Sequence, residues 1–258
     1  MNAPRTLTIL SGASRGLGAA MAEQLLLPGA TLLGLSRQVN PALAALAAER
    51  GATAEQWPAD LADPIAVAAR VDAWLAAHDA EAFDSATLIN NAAMLTTIGP
   101  LDEADAAEQS RALRVGLEAP LLLTAAFLRR TQGWRARREG RVKVLNISSG
   151  LGRFAMASQA NYCAVKAGLD HFTRAVALDQ AHAPHPARIV SLAPGVIDTD
   201  MQVHLRGGAA ERFPDRERFV GMHAAGQLDT PATAAAKVLA YLQRSDFGDQ
   251  PVADVRDA

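Results

Sequence analysis

Tyr162 and Lys166 stand four residues apart in a stretch of helix formers, Asn161–Ala181, and Ser149 lies 13 residues before the tyrosine. A spacing of four puts the phenol and the ammonium on one helical face. A tyrosine with its ordinary pKa near 10 relays protons poorly at neutral pH, whereas a nearby ammonium favours its phenolate. A shift of ~2–3 units corresponds to roughly 3–4 kcal/mol of differential stabilisation. Ser149 closes the segment Asn146-Ile147-Ser148-Ser149-Gly150, which reads as the end of a strand. A hydroxyl there can donate to an oxygen on which negative charge accumulates. Ser148 offers the same group, but neighbouring strand residues point to opposite faces. The set suits proton transfer at a carbonyl or alcohol oxygen. A Tyr/Lys pair taken alone fits an exposed helix face equally well, so the rest of the chain must decide.

The segment Ser11-Gly12-Ala13-Ser14-Arg15-Gly16-Leu17-Gly18 lies between the apolar run Thr6–Leu10 and a helical stretch from Ala19. Three glycines at such a junction let the backbone turn tightly and approach a pyrophosphate, and the helix N-terminus offers free N–H groups to the anion. That arrangement points to a dinucleotide. The next strand ends Leu35-Ser36-Arg37, with no carboxylate to accept from the adenosine ribose hydroxyls. Arg37, together with Arg15 in the turn, instead suits a 2′-phosphate, so NADP(H) is the expected cofactor.

These residues need a frame. Short apolar runs at Thr6–Leu10, Thr31–Leu35, Thr53–Pro58, Ala86–Ile89, Val142–Ile147, Arg188–Leu192 and Val252–Val255 read as strands. Between them Ala19–Leu27, Pro41–Arg50, Asp63–His78, Ala104–Arg130, Asn161–Ala181 and Thr230–Arg244 carry helical spacing or strong helix formers. Strict alternation predicts an α/β fold: a Rossmann-type doubly wound parallel sheet of about seven strands, helices on both faces, with ligand at the carboxyl ends of the strands. The 258 residues fit one domain, residues 1–258, and the irregular stretch His204–Leu228, within 198–228, reads as a substrate loop or lid. Lys+Arg number 25 against Asp+Glu 27, a net charge of −2 that disfavours a nucleic-acid binder. Trp134–Arg141 is the single basic cluster and reads as a solvated loop before the fifth strand. A lone cysteine, Cys163, excludes a disulfide framework, and the six histidines lack metal-ligand spacing, so no catalytic metal is expected. The run around Pro120–Leu128 is short of the ~20 apolar residues of a membrane span, and Met1–Arg5 leads directly into Leu7–Leu10 without a signal-peptide core. A cytoplasmic protein without membrane partners is expected.

The spacing Gly-x-x-x-Gly-x-Gly, followed by Ser149, Tyr162 and Lys166, resembles the short-chain dehydrogenase/reductase family, and the likeness extends over essentially the whole chain. It implies that Gly12, Ser14, Gly16, Leu17 and Gly18 hold the dinucleotide phosphates, with Ser36 and Arg37 at the adenosine end. It places Asp60 and Leu61, after the third strand, by the adenine, although Asp60 also suits a helix cap before Ala62–Arg70. Asn90-Asn91-Ala92-Ala93 resembles the family's Asn-Asn-Ala-Gly, which brings Asn90 and Ala92 to the cofactor. Pro194-Gly195-Val196-Ile197-Asp198-Thr199 resembles the segment that holds the carboxamide, adding Pro194, Gly195, Ile197 and Thr199. By the same resemblance Tyr162 exchanges the proton, Lys166 lowers its pKa and bonds the nicotinamide ribose, and Ser149 holds the carbonyl oxygen. One position departs: Val115-Gly116-Leu117 stands where the family has a segment like Val-Asn-Leu, whose Asn helps to hold a relay water.

The C-terminal quarter, Gly226–Asp229 through Val252–Asp257, is similar to sepiapterin reductases and to bacterial reductases of aromatic diketones such as benzil. That match puts Asp254 on the carboxylate that anchors a pterin, and Met201, His204, Leu205, Phe213 and Phe219 of the lid would give apolar contact or pack a subunit interface. The reading is an NADPH-dependent reductase of a ketone or diketone. Its alternatives are an alcohol dehydrogenase of a hydroxysteroid, sugar or acyl-type substrate, and a silent NADP-binding regulator. The family resemblance implies a homodimer or homotetramer joined through Ala104–Arg130 and Asn161–Ala181.

Overall fold

In a computed structural model, which describes residues 3–79, 81–135 and 140–257, the seven apolar runs form one parallel sheet. The strands are β1 (Thr6–Ser11), β2 (Ala30–Ser36), β3 (Thr53–Pro58), β4 (Ser85–Asn90), β5 (Val142–Ile147), β6 (Arg188–Ala193) and β7 (Val252–Asp254). Their order is β3-β2-β1-β4-β5-β6-β7. The chain therefore reverses direction across the sheet between β1 and β4, and the carboxyl ends of those strands open a crevice at the switch point. Alternation along β1 sends Leu7 and Ile9 to one face and Leu10 to the other. The first face packs on α3 (Pro64–Ala76) and α5 (Ala119–Arg130) through Val71, Leu123 and Phe127. The opposite face packs on α1 (Gly16–Leu25), α2 (Pro41–Glu49) and α10 (Pro231–Gln243) through Met21, Leu43 and Val238. β3, the polar edge strand, exposes Thr53 and ends at Pro58, which blunts the edge.

Three elements differ from the reading of the sequence. The single helix expected over Ala104–Arg130 is α4 (Ala106–Leu113), a π turn at Arg114–Glu118, and then α5. Pro120 has no N–H to close on the Gly116 carbonyl, and the Ala119 N–H reaches back five residues to Arg114 instead. The stretch after Thr199 is not irregular: it holds α8 (Asp200–Arg206) and α9 (Arg216–Ala224). Both are short and only about half apolar, and they close over a small separate cluster of Ile98, Leu205, Phe213 and Phe219, so no long periodic stripe marks them. Lastly, Trp134 and Arg135 do not belong to a solvated loop. They are buried in the short α6 (Gln132–Arg135), where the Arg135 guanidinium donates to Gln180 Oε1 and the Leu128 carbonyl. Residues 136–139 of that basic cluster lie outside the described residues. The remaining helix, α7 (Ala160–Ala181), is the longest and packs along β6, also meeting β5 where Asn146 donates to Thr173. Among the described residues no helix is long and apolar enough to cross a membrane.

Candidate active site

One cleft of about 1530 Å³ runs along the carboxyl ends of the strands, and nearly all the residues singled out from the sequence line it. Its floor is the β1–α1 turn. Gly12 has φ +72° and Gly16 φ +54°, the left-handed region that favours glycine. A Cβ on Gly18 would fall 1.9 Å from the Gly12 carbonyl oxygen, and one on Gly12 2.9 Å from Asn91 Nδ2. Asn91 locks the turn: its side chain donates to the Ser11 and Gly12 carbonyls, while the Ser11 hydroxyl accepts from the Asn91 and Ala92 N–H groups. No side chain caps α1 at Arg15, which leaves its first N–H groups to an anion. Ser14, Leu17, Leu61, Ala92, Pro194, Gly195, Ile197 and Thr199 complete the walls.

At the end of the cleft beyond β2, Ser36 and Arg37 line it, and the buried Ser36 hydroxyl has no hydrogen-bond partner among the described residues. Arg15 is already paired, with Asp200 of α8 at 2.9 Å. Asp60 accepts from the Ala62 N–H and pairs with Arg111 at 2.6 Å, and both hold its carboxyl below the usual range. The cap of α3 is Asp63, not Asp60. Asn90 is not on the cleft wall: it is buried beneath, donating to Asn146 Oδ1 and Thr124 Oγ1. Its neighbour Asn91, just past the strand and half-buried, lines the cleft instead.

At the other end of the cleft Ser149, Tyr162 and Lys166 meet. Ser149 caps the 3₁₀ turn Gly150–Gly152, accepting from the Leu151 N–H, and its hydroxyl is near enough to favour the charged form of Tyr162. Ser148 turns away into the protein and donates to Asp170. Tyr162 is 9 % exposed; burial pushes its hydroxyl up to about 12, against the lowering effect of the nearby Ser149 hydroxyl. The protein's own groups therefore do not supply the lowering expected from the sequence. Lys166 Nζ lies 5.6 Å from the tyrosine ring and donates to the Ile147 carbonyl at 2.7 Å. Burial brings the ammonium down to about 8, opposed by the charge of Asp170. Beside these groups, α7 touches the π turn closely enough that a Cβ on Gly116 would fall 2.6 Å from Val165 Cγ1. The place of the family's Asn is thus a helix–helix contact.

Helices α8 and α9 reach this end. Met201 sulfur accepts from the Tyr162 hydroxyl at 3.8 Å, and Leu205, Phe219 and Met222 line the cleft beside it. Phe213 is buried beneath, stacked on Phe219, and His204 meets the Thr96 carbonyl. Asp254 is not brought to the cleft. Its carboxylate is 5 % exposed and clasped by the Arg256 guanidinium at 2.8 and 2.6 Å, which holds it below the usual carboxylate range, and Arg256 is the residue that faces the cleft. Reading the sequence missed Asn91, Arg111, Arg153 and Asp170. Asn91 stood inside the Asn-Asn motif, and Asp170 continues the spacing of four from Tyr162 and Lys166; Arg111 and Arg153 left no signal. Among the described residues no group of three or more His, Cys, Asp or Glu side chains is placed to hold a metal ion.

Comparison with known proteins agrees with this geometry. Residues 6–209 match the family model of the short chain dehydrogenases. The chain is 32 % identical over 239 residues to a benzil reductase ((S)-benzoin forming) of Bacillus cereus, covering 93 % of this chain and 94 % of that one. It is 32 % identical over 255 residues to the sepiapterin reductase of Xenopus tropicalis, covering 93 % and 92 %. A solved structure of a metagenomic short-chain oxidoreductase in complex with NADP superposes with a TM-score of 0.71 at 27 % identity, covering 96 % of this chain and 94 % of that one.

Proposed function

Because the chain belongs to the short-chain dehydrogenase family, we propose that it is an NADPH-dependent reductase of ketones and α-diketones, with Tyr162 as the proton donor. The observation that carries the proposal is the Tyr162 hydroxyl, set between Ser149 and the apolar lid residue Met201 at one end of a cleft whose other end is a glycine cradle. The residues fit a nicotinamide dinucleotide. The space that Cβ atoms at Gly12 and Gly18 would fill is kept open, α1 presents uncapped N–H groups, and the unpartnered Ser36 hydroxyl lies beside Arg37. Ser14, Gly16 and Leu17 would hold the pyrophosphate, Arg15 and Arg37 the 2′-phosphate, Asp60 and Leu61 the adenine, and Ala92, Pro194, Gly195, Ile197 and Thr199 the nicotinamide half. When bound, the reduced nicotinamide supplies a hydride to the carbonyl carbon.

The protein's own part is the oxygen. Ser149 donates a hydrogen bond to it that strengthens as negative charge develops. Tyr162 gives it a proton: with burial holding its hydroxyl up to about 12, the phenol is fully protonated at neutral pH and ready to serve an alkoxide. Lys166, an ammonium below about 8, steadies the phenolate left behind and bonds the ribose. Residues 198–228 form the lid, whose Met201, Leu205 and Phe219 favour an apolar or aromatic compound. With Asp254 committed to Arg256, an aromatic diketone suits this surface better than a pterin. The same reading extends to a homo-oligomer joined through α4–α5 and α7, where Leu113 and Leu178 are exposed.

A carbonyl panel of benzil, a pterin, a quinone and a simple aldehyde, followed by NADPH absorbance, tests the reading. Benzil is expected to be turned over fastest, and Tyr162→Phe to lose roughly 10²–10⁴-fold in kcat while still binding NADPH. A phenylalanine variant with near parental turnover, or tight NADPH binding without turnover of any carbonyl, overturns it.

A further inference from the structure

Asp170 lies one further helical turn along the face of α7 that carries Tyr162 and Lys166, and it is 1 % exposed. A carboxylate so far from solvent needs partners. The Ser148 and Ser191 hydroxyls both donate to Oδ1, at 2.5 and 2.6 Å. Arg153 Nε stands 3.4 Å from Oδ2, which accepts no hydrogen bond among the described residues. Ser148 comes immediately before Ser149, and Arg153 immediately after the turn Gly150–Gly152. One carboxylate thus holds both flanks of the turn that presents Ser149. The turn crosses α7 so closely that a Cβ on Gly152 would fall 2.8 Å from Asp170 Oδ2 and 3.0 Å from the Lys166 carbonyl oxygen. Arg153 also donates to the Ala253 carbonyl at 2.8 Å and stands 3.8 Å from Asp254, which ties the same turn to β7.

Resting on the roles assigned above to Ser149, Tyr162 and Lys166, we propose that Asp170 is a positioning residue for the reduction: it clamps the Ser149 turn against α7 and fixes a negative charge one helical turn behind Lys166. The surroundings make it the main anion there. β5 and β6 meet it with neutral serines, the turn with Arg153, and α7 with Lys166, while Asp254 of β7 lies beyond Arg153. The π turn meets α7 through Gly116 and Leu117, which carry no charge. Taking an anion away lowers the proton affinity of neighbouring groups, so its loss moves the Tyr162/Lys166 titration to lower pH. An asparagine at 170 has the same volume and can still accept from the serines. It lacks the charge, and its NH₂ group opposes the Arg153 donor.

Asp170→Asn is tested with benzil and NADPH. We expect kcat to fall roughly 10–10²-fold, the NADPH dissociation constant to stay within about twofold, and the alkaline limb of kcat to move down by about one pH unit. Hydrogen–deuterium exchange of a peptide covering residues 148–153 should accelerate, in the cofactor-free protein as well. Ser148→Ala, which frees one flank but keeps the charge, should lower kcat without moving the alkaline limb. An Asp170→Asn protein with parental kcat and pH profile overturns the proposal. So does a loss of kcat with unchanged exchange and an unchanged limb, since a merely structural residue behaves that way. If Asp170→Asn does not fold, Ser148→Ala and Arg153→Gln decide: parental kcat and parental exchange in both overturn the clamp. Tyr162→Phe is run in parallel. Parental turnover in that variant sinks the assigned chemistry, whereas its inactivity beside an unaffected Asp170→Asn sinks only the present proposal.

Discussion

Burial acts on Lys166 and Tyr162 with opposite consequences for pH. It holds the lysine at about 8 against 10.5 for the free side chain, and the tyrosine at about 12 against 10.0. Below pH 8 the lysine is charged in both the folded and the unfolded chain, and folding carries the cost of burying that charge. From pH 8 to 10.5 the unfolded chain binds more protons at this site, so stability rises with pH. From 10 to 12 the folded chain holds the extra proton, on Tyr162, and stability falls again. Two and a half units correspond to at most about 3 kcal/mol for the lysine. Urea denaturation of the cofactor-free protein at pH 8 and at pH 10 should therefore show a rise that Lys166→Met lacks. Equal slopes for the two proteins would contradict the buried ammonium. At this scale the sequence was readable where a residue's type and spacing decide where it lands, as for Ser149, Tyr162 and Lys166, which meet in one cleft, and the three glycines of its turn. It was opaque where a charge is claimed by a distant partner. Arg15 meets Asp200 185 positions away and Asp60 meets Arg111 51 positions away, and nothing local marks either pair. Asp254 meets Arg256 only two positions away, but whether a carboxylate points at a neighbour or into a cleft depends on the fold of the whole tail.

Elements were legible in proportion to their periodicity. All seven strands fall within a residue or two of their expected bounds; apart from the polar edge strand β3, this is because both faces of a parallel sheet are covered and the apolar runs are nearly continuous. Helices α8 and α9 were not legible, having only a few apolar anchors each. The π turn was half legible: Gly116 stood out as a departure from the family's Asn, but the turn's cause needs two further residues, Pro120 along the helix and Val165 across from it. That contact makes a prediction. Gly116→Ala should gain ~0.5–1 kcal/mol of helix propensity. Its Cβ would, however, meet the stiff Val165 side chain at 2.6 Å, and overpacking of this kind costs ~1–3 kcal/mol. Net destabilisation is expected in thermal denaturation, and Val165→Ala combined with Gly116→Ala should recover most of it. Gly116→Asn, which restores the family's residue, should be worse than Gly116→Ala unless Val165 is shortened too. A stabilised Gly116→Ala protein would mean that the two helices are not held together at this contact.

For the molecule as a whole the near balance of charge, −2 over 258 residues, conceals where the cations lie. Arg15, Arg37 and Arg111 all line the cleft, and two of them are shared with carboxylates, Asp200 and Asp60. The Arg15–Asp200 pair has both side chains more than 70 % exposed, so it contributes little and a phosphate can displace Asp200 at small cost. A 2′-phosphate would then meet Arg37 and Arg15 together. Binding confined to the folded state raises stability by about 2.7 kcal/mol at a hundredfold excess over Kd, which in a chain of this length is roughly 5–10 °C in Tm. NADPH should give such an upshift, and NADH at the same concentration a clearly smaller one. The gap should narrow in high salt, which screens exposed charges. Arg37→Asp should reverse the order, since a carboxylate there repels the phosphate and accepts from the free ribose hydroxyls of NADH. Equal upshifts from the two nucleotides in the parent protein, or an Arg37→Asp protein that still prefers NADPH, would remove Arg37 from the cofactor choice and leave the two arginines as ordinary surface charges.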